Sequence, residues 1–91
     1  MSMKITEIHI ILSDEKVVKA YVDIIFDNCF IIKGIKIIQG KKLFVSMPSR
    51  RKKNGTFVDI AHPINNEFRL NMELQILKAY EQKLKKDEKS I

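Results

Sequence analysis

The run Val17-Val18-Lys19-Ala20-Tyr21-Val22-Asp23-Ile24-Ile25-Phe26-Asp27 alternates apolar and polar side chains almost without a break. Successive residues of a strand point to opposite faces, so Val18, Ala20, Val22, Ile24 and Phe26 share an inward face. Lys19, Tyr21, Asp23 and Asp27 then face outward. A helix, with its period of about 3.6, would scatter those five apolar residues around its axis. The run therefore reads as a half-buried β-strand.

The flanking stretches extend the pattern. Upstream, Lys4 to Leu12 also alternates, with Thr6, Ile8, Ile10 and Leu12 on one face and Glu7, His9 and Ile11 on the other. The short polar stretch Ser13-Asp14-Glu15-Lys16 joins the two runs, which predicts a hairpin. Downstream, Phe30 to Ile38 predicts a third strand, and Gly34 inside it marks a bulge or a close backbone approach. Gln39-Gly40-Lys41 turns the chain into a fourth strand, Leu43 to Met47, which Pro48 ends. Arg50-Arg51-Lys52-Lys53-Asn54-Gly55 reads as a loop with an Asn-Gly turn, and Thr56 to Ala61 as a short fifth strand.

After Pro63 the period changes to that of a helix. Asn65 or Asn66 can cap it, and Glu67 suits the positive end of its dipole. Phe68, Leu70, Met72, Leu74, Ile76, Leu77, Tyr80 and Leu84 recur at helical spacing, opposite the polar stripe Asn71, Gln75, Lys78, Gln82 and Lys85. The predicted fold is α+β: an antiparallel sheet of about five strands followed by one long C-terminal amphipathic helix. One domain spans residues 3–85, and residues 86–91 form a frayed basic tail.

A chain of 91 residues buries only roughly 60–65% of its unfolded surface, which favours self-association. One helix covers one side of a sheet, leaving Ile11, Tyr21 and Ile25 on the other, so a homodimer is expected. No apolar run approaches the ~20 residues that span a bilayer, so no membrane insertion is expected. The start, Met1-Ser2-Met3-Lys4, leads straight into alternation without an apolar signal segment, and the single cysteine, Cys29, suits a reducing cytoplasm.

Charge is distributed unevenly. The net charge is +6, from 17 basic and 11 acidic residues. Residues 1–27 carry three lysines against five acids, and residues 59–91 carry six charges of each sign. Residues 28–58 hold eight basic residues and no Asp or Glu. The whole excess lies in this central window: Lys33, Lys36, Lys41, Lys42, Arg50, Arg51, Lys52 and Lys53. A field concentrated this way suits a polyanion, nucleic acid before an anionic membrane surface. Arginine forks pair with phosphate oxygens or guanine edges, and lysines supply point charges. Arg69 either joins this basic face or makes a local i, i+4 pair with Glu73.

Phe44 and Phe57 flank the basic stretch and could stack on bases, but their apolar surroundings point to the core. Asp59 and His62, with Ser46 or Ser49, contain the residue types of acid–base chemistry without a spacing that brings them together. A bend fixed by Pro63, with His62 satisfying backbone groups or a dimer contact, accounts for them better. His9, His62 and Cys29 are too scattered for a structural metal, and the three glycines stand apart, so no metal, cofactor or catalytic activity is expected.

Three strings carry a resemblance to a known family. Phe26-Asp27-Asn28-Cys29-Phe30, Leu43-Phe44-Val45-Ser46-Met47-Pro48-Ser49-Arg50-Arg51 and Asp59-Ile60-Ala61-His62-Pro63-Ile64-Asn65 closely resemble the stage V sporulation protein G, or septation protein, family. The likeness runs from about Met3 to Tyr80. It implies a small homodimeric α+β protein that binds DNA and RNA and acts as a regulator linked to septation and sporulation. The family's acidic tail is replaced here by Lys83-Leu84-Lys85-Lys86-Asp87-Glu88-Lys89, and the basic run is longer than usual. Both changes strengthen attraction to polyanions. The expected protein is a cytoplasmic, non-enzymatic nucleic-acid-binding regulator. The alternative is a protein-interaction module of the division or sporulation machinery with incidental nucleic-acid affinity.

Overall fold

The computed structural model describes residues 3–89. Six strands precede one helix: β1 (Ile5–Leu12), β2 (Val18–Phe26), β3 (Phe30–Gln39), β4 (Leu43–Ser46), β5 (Ser49–Arg51), β6 (Phe57–Asp59) and α1 (Asn66–Lys89). The first four form an antiparallel sheet in chain order, β1-β2-β3-β4, whereas β5 and β6 form a separate two-stranded ribbon. The fifth strand expected in the sheet thus lies outside it. Pro48, two residues past the end of β4, cannot donate to the ladder, so the chain leaves the sheet and pairs with the segment that follows.

The alternating run Val17–Asp27 lies at the centre. Ala20, Val22, Ile24 and Phe26 are buried, joined by Ile35 and Ile37 of β3, Met47 after β4, and Met72, Ile76 and Tyr80 of α1. The Phe26 and Phe68 rings stack with centroids 6.1 Å apart, fastening the helix to the sheet. Ile5, Ile8, Ile10 and Leu12 flank this core from β1.

Three irregularities set the register. At the first, Ile5 pairs with Phe26 but Glu7 with Ile25, which leaves Thr6 as an extra residue. Thr6 therefore does not share the inward row expected for it, and Ile5 takes the place. The Thr6 hydroxyl donates to the Ile25 carbonyl (3.2 Å) and accepts from the Asn28 amide (3.0 Å). A second shift lies between Val18 and Ala20. The third is the bulge expected at Gly34: Val22 pairs with Ile35 and Ile24 with Ile32, and Gly34 has φ +84°. The β2–β3 turn uses positive φ at Asp27 (50°) and Asn28 (54°), the geometry that matches strand twist in a tight hairpin.

Asn65 is the helix cap. Its Oδ1 accepts from the Phe68 amide at 2.8 Å, and its carbonyl accepts from the Arg69 amide at 3.0 Å. The apolar helix residues do not all turn inward. Met72, Ile76 and Tyr80 are buried against the sheet, while Leu74 is 68% exposed and Leu70 and Leu84 also face solvent. Beyond Tyr80, residues 81–87 are exposed, so the helix overhangs its sheet. It continues to Lys89, into the stretch 86–91 expected to fray, and residues 90 and 91 lie outside those described.

Candidate nucleic-acid interface

The ribbon is built from its turn. The Gly55 amide donates to the Lys52 carbonyl (3.0 Å) and the Lys52 amide to the Thr56 carbonyl (2.7 Å). Asn54 Oδ1 accepts from both the amide and the hydroxyl of Thr56 (3.1 and 2.7 Å). Gly55 has φ +90°, whereas Asn54 needs no positive φ. This is a turn followed by a glycine bulge rather than a two-residue Asn-Gly turn. Arg50 and Arg51 accordingly belong to β5 and not to a loop, with Arg50 opposite Val58 and Arg51 opposite Phe57. Lys52 and Lys53 occupy the turn.

Strand alternation puts the two arginines on opposite faces of the ribbon. Arg51 shares its face with Phe57, and Arg50 shares its face with the half-buried Val58. The Arg51–Phe57 face is the more open, since Phe57 is 70% exposed. At the base, the Ile60 amide donates to the Pro48 carbonyl (2.8 Å), and a Cβ built at Gly34 would stand 3.9 Å from Pro48 Cβ. Beyond that base, β5 and β6 pack chiefly on each other.

The ribbon's cations stand outside the ion pairs of the described residues. Among the described residues the ion pairs are His9–Glu7 and Arg69–Glu73, both at 3.8 Å. Among the described residues, no carboxylate holds Arg50, Arg51, Lys52 or Lys53. The other basic residues of the central window spread out. Lys33 sits in the β3 bulge close to the ribbon base, and Lys36, paired with Tyr21 and Ser46, belongs to the sheet face away from the helix. Lys41 and Lys42 lie in the β3–β4 turn, at the other end of β4 from Pro48. The ribbon and Lys33 form one neighbourhood; Lys41 and Lys42 form another.

Arg69 belongs to neither. Its Nη2 donates to the Pro63 carbonyl at 3.1 Å and approaches His62 Nδ1 at 3.5 Å, while Nη1 faces Glu73. It ties the 62–63 bend to the first turns of α1. Of the two readings left open for this arginine, the structure shows the local pair. Phe44 and Phe57, expected in the core, are exposed, as are Ile60 and Ile64, the last at 95%. For Phe57 the missed signal was the brevity of its strand: a ribbon of three residue pairs has no second layer to bury a ring.

The SpoVG family profile matches residues 3–82. The chain belongs to the SpoVG family. Relatives of this SpoVG chain that carry the septation protein name SpoVG include one from Anaeromyxobacter sp. (strain K), 48% identical over 92% of this chain and 84% of the relative. Another, from Bdellovibrio bacteriovorus, is 50% identical over 91% of this chain and 78% of the relative. A third, from Archaeoglobus fulgidus, is 47% identical over 87% of this chain and 95% of its own length. The family match ends at residue 82, within the overhanging part of α1. Among the described residues of this SpoVG chain, no helix is long and apolar enough to cross a membrane.

Proposed function

We propose that this chain is a non-enzymatic regulator of septation and sporulation that binds DNA or RNA through the phosphate backbone, as a cytoplasmic homodimer. One observation carries the proposal: four consecutive cations stand on an exposed ribbon with no carboxylate among the described residues to neutralise them. Stability does not explain the arrangement. An isolated two-stranded ribbon is marginal in water, and four like charges in sequence weaken it further. The return comes on meeting a polyanion, where each neutralised phosphate releases counterions. Septation and sporulation enter from the relatives' names.

The homodimer is supported by apolar surface on two sides. Ile11 and Tyr21 remain exposed on the sheet, and Leu70 and Leu74 on the helix. Scattered exposed apolar residues are ordinary, but residues 70 and 74 are one helical turn apart and form a stripe.

The test is a salt-dependent binding series on duplex DNA, single-stranded DNA and RNA. Log K should fall linearly with log salt, by about 0.9 per neutralised phosphate on duplex DNA. The second reading, a module that docks an acidic protein of the division machinery, draws on Phe57 beside Arg51 and Ile60 at the ribbon's base, both exposed. Salt-resistant binding of such a partner, with no retardation of any nucleic acid, would replace the first reading by the second.

A further inference from the structure

We infer that the β5–β6 ribbon enters the major groove of B-form duplex DNA and reads base edges there, with Arg51 as the reading residue. The inference rests on the nucleic-acid reading above and narrows it to one form of nucleic acid, one groove and one side chain. Shape comes first. Paired strands lie about 4.8 Å apart, so a two-stranded ribbon with its side chains fits a groove about 12 Å wide. From Ser49 to Arg51 the strand rises about 7 Å at ~3.3 Å per residue, and the turn at Lys52–Gly55 adds to this, a reach comparable to the groove's depth of about 8.5 Å. Apart from its base, where the Ile60 amide meets the Pro48 carbonyl and Val58 is half-buried, the ribbon packs chiefly on itself, and its tip and Arg51–Phe57 face stay open for entry. The major groove of A-form RNA is too narrow and deep to admit it.

Chemistry divides the ribbon's residues. Arg51 and Phe57 are cross-strand partners on the open face, so this face can meet the groove floor. There the guanidinium fork matches the O6 and N7 acceptors of guanine, and the adjacent ring meets a thymine methyl. Arg50 projects from the other face, and Lys52 and Lys53 sit at the turn, where they reach phosphates on the groove walls. Asp59, the one acid on the ribbon, is at its base opposite Ser49, two residue pairs from Arg51–Phe57. It shares the face of Arg51 and Phe57 but lies roughly 7 Å back along the strands, at the mouth of the groove rather than at its floor.

The test uses the full chain and three matched duplexes: ordinary DNA, the same DNA with glucosylated hydroxymethylcytosine filling the major groove, and RNA of that sequence. Glucosylation should weaken binding by about tenfold or more, the loss expected for a bidentate base contact. Netropsin, which fills the minor groove, should leave affinity within about twofold, and the RNA duplex should bind more weakly than the DNA. Arg51→Lys keeps the charge, so the salt slope should hold while the penalty for glucosylation shrinks. Equal affinity for plain and glucosylated DNA, or for DNA and RNA duplexes, overturns the groove assignment but leaves backbone binding intact. Failure to bind any of the three overturns both.

Discussion

Gly34 shows how one residue steers the chain. Its φ of +84° lies where a side chain costs about 1–2 kcal/mol, yet the space around it is open, with the nearest atom 3.9 Å from a built Cβ. Gly34→Ala should therefore lower stability by about 1–2 kcal/mol through backbone strain alone, measurable by urea unfolding with an unchanged m-value. Asn65→Ala removes the cap on the Phe68 amide and should cost about 1 kcal/mol in the same assay. Tyr21 offers a titration. Its hydroxyl donates to Glu15 Oε2 at 2.9 Å, and that hydrogen bond, with smaller contributions from desolvation and the carboxylate's charge, raises the phenol above its ordinary 10.0. The raised value favours the protonated form, so its small stabilisation is present below pH 10.0 and disappears as pH climbs through the raised value. Glu15→Ala should return Tyr21 to the ordinary range, read from tyrosinate absorbance with Tyr21→Phe as reference. At this scale the sequence was partly legible. Gly34 announced its bulge, but Thr6 did not, because a polar residue in an alternating run looks the same whether it is in register or bulged.

Elements were legible in kind more than in partnership. Four strands and a helix lie where periodicity put them, because a half-buried strand and a packed helix each leave a periodic trace. What periodicity does not encode is which strand pairs with which. The residues of β5 and β6 carry no alternation long enough to count, and their separation from the sheet depends on Pro48 and the bulge beside it. The helix shows the same limit. Its apolar residues occupy more than one side, and only the fold separates Met72 and Ile76, under the sheet, from Leu70 and Leu74, in water. Truncation should expose that difference. Met72→Ala should cost about 2–5 kcal/mol, whereas Leu74→Ala should change the stability of an isolated chain by less than about 0.5 kcal/mol. A larger loss at Leu74, growing with protein concentration, would place that residue in the dimer contact.

The whole molecule is a thin two-layer body with projections. Its radius of gyration, 13.9 Å, exceeds the roughly 12 Å expected of a compact chain of this length. The helix, about 36 Å long at ~1.5 Å per residue, overhangs the sheet, and the ribbon extends from the far side of Pro48. The candidate site was legible in the sequence as charge, since eight cations without an acid in residues 28–58 stand out in any reading. Its geometry was not legible, because charge counts do not show that Lys41 and Lys42 fall at the other end of β4 or that Arg69 anchors a bend. Pairing of two chains would present two ribbons to one polyanion. Sedimentation at micromolar concentration should give about twice the chain mass of 10.6 kDa, and a monomer there would remove the second ribbon from the account. The most direct measurement is the salt dependence of duplex DNA binding by the Arg50→Ala/Arg51→Ala variant. Affinity should drop, and the slope of log K against log salt should flatten by about 0.9 for each guanidinium that neutralises a phosphate, about 1 per ribbon with Arg51 on a base edge and about 2 with both on phosphates. A variant with the parent's affinity and slope would place the contact elsewhere and contradict the ribbon's role.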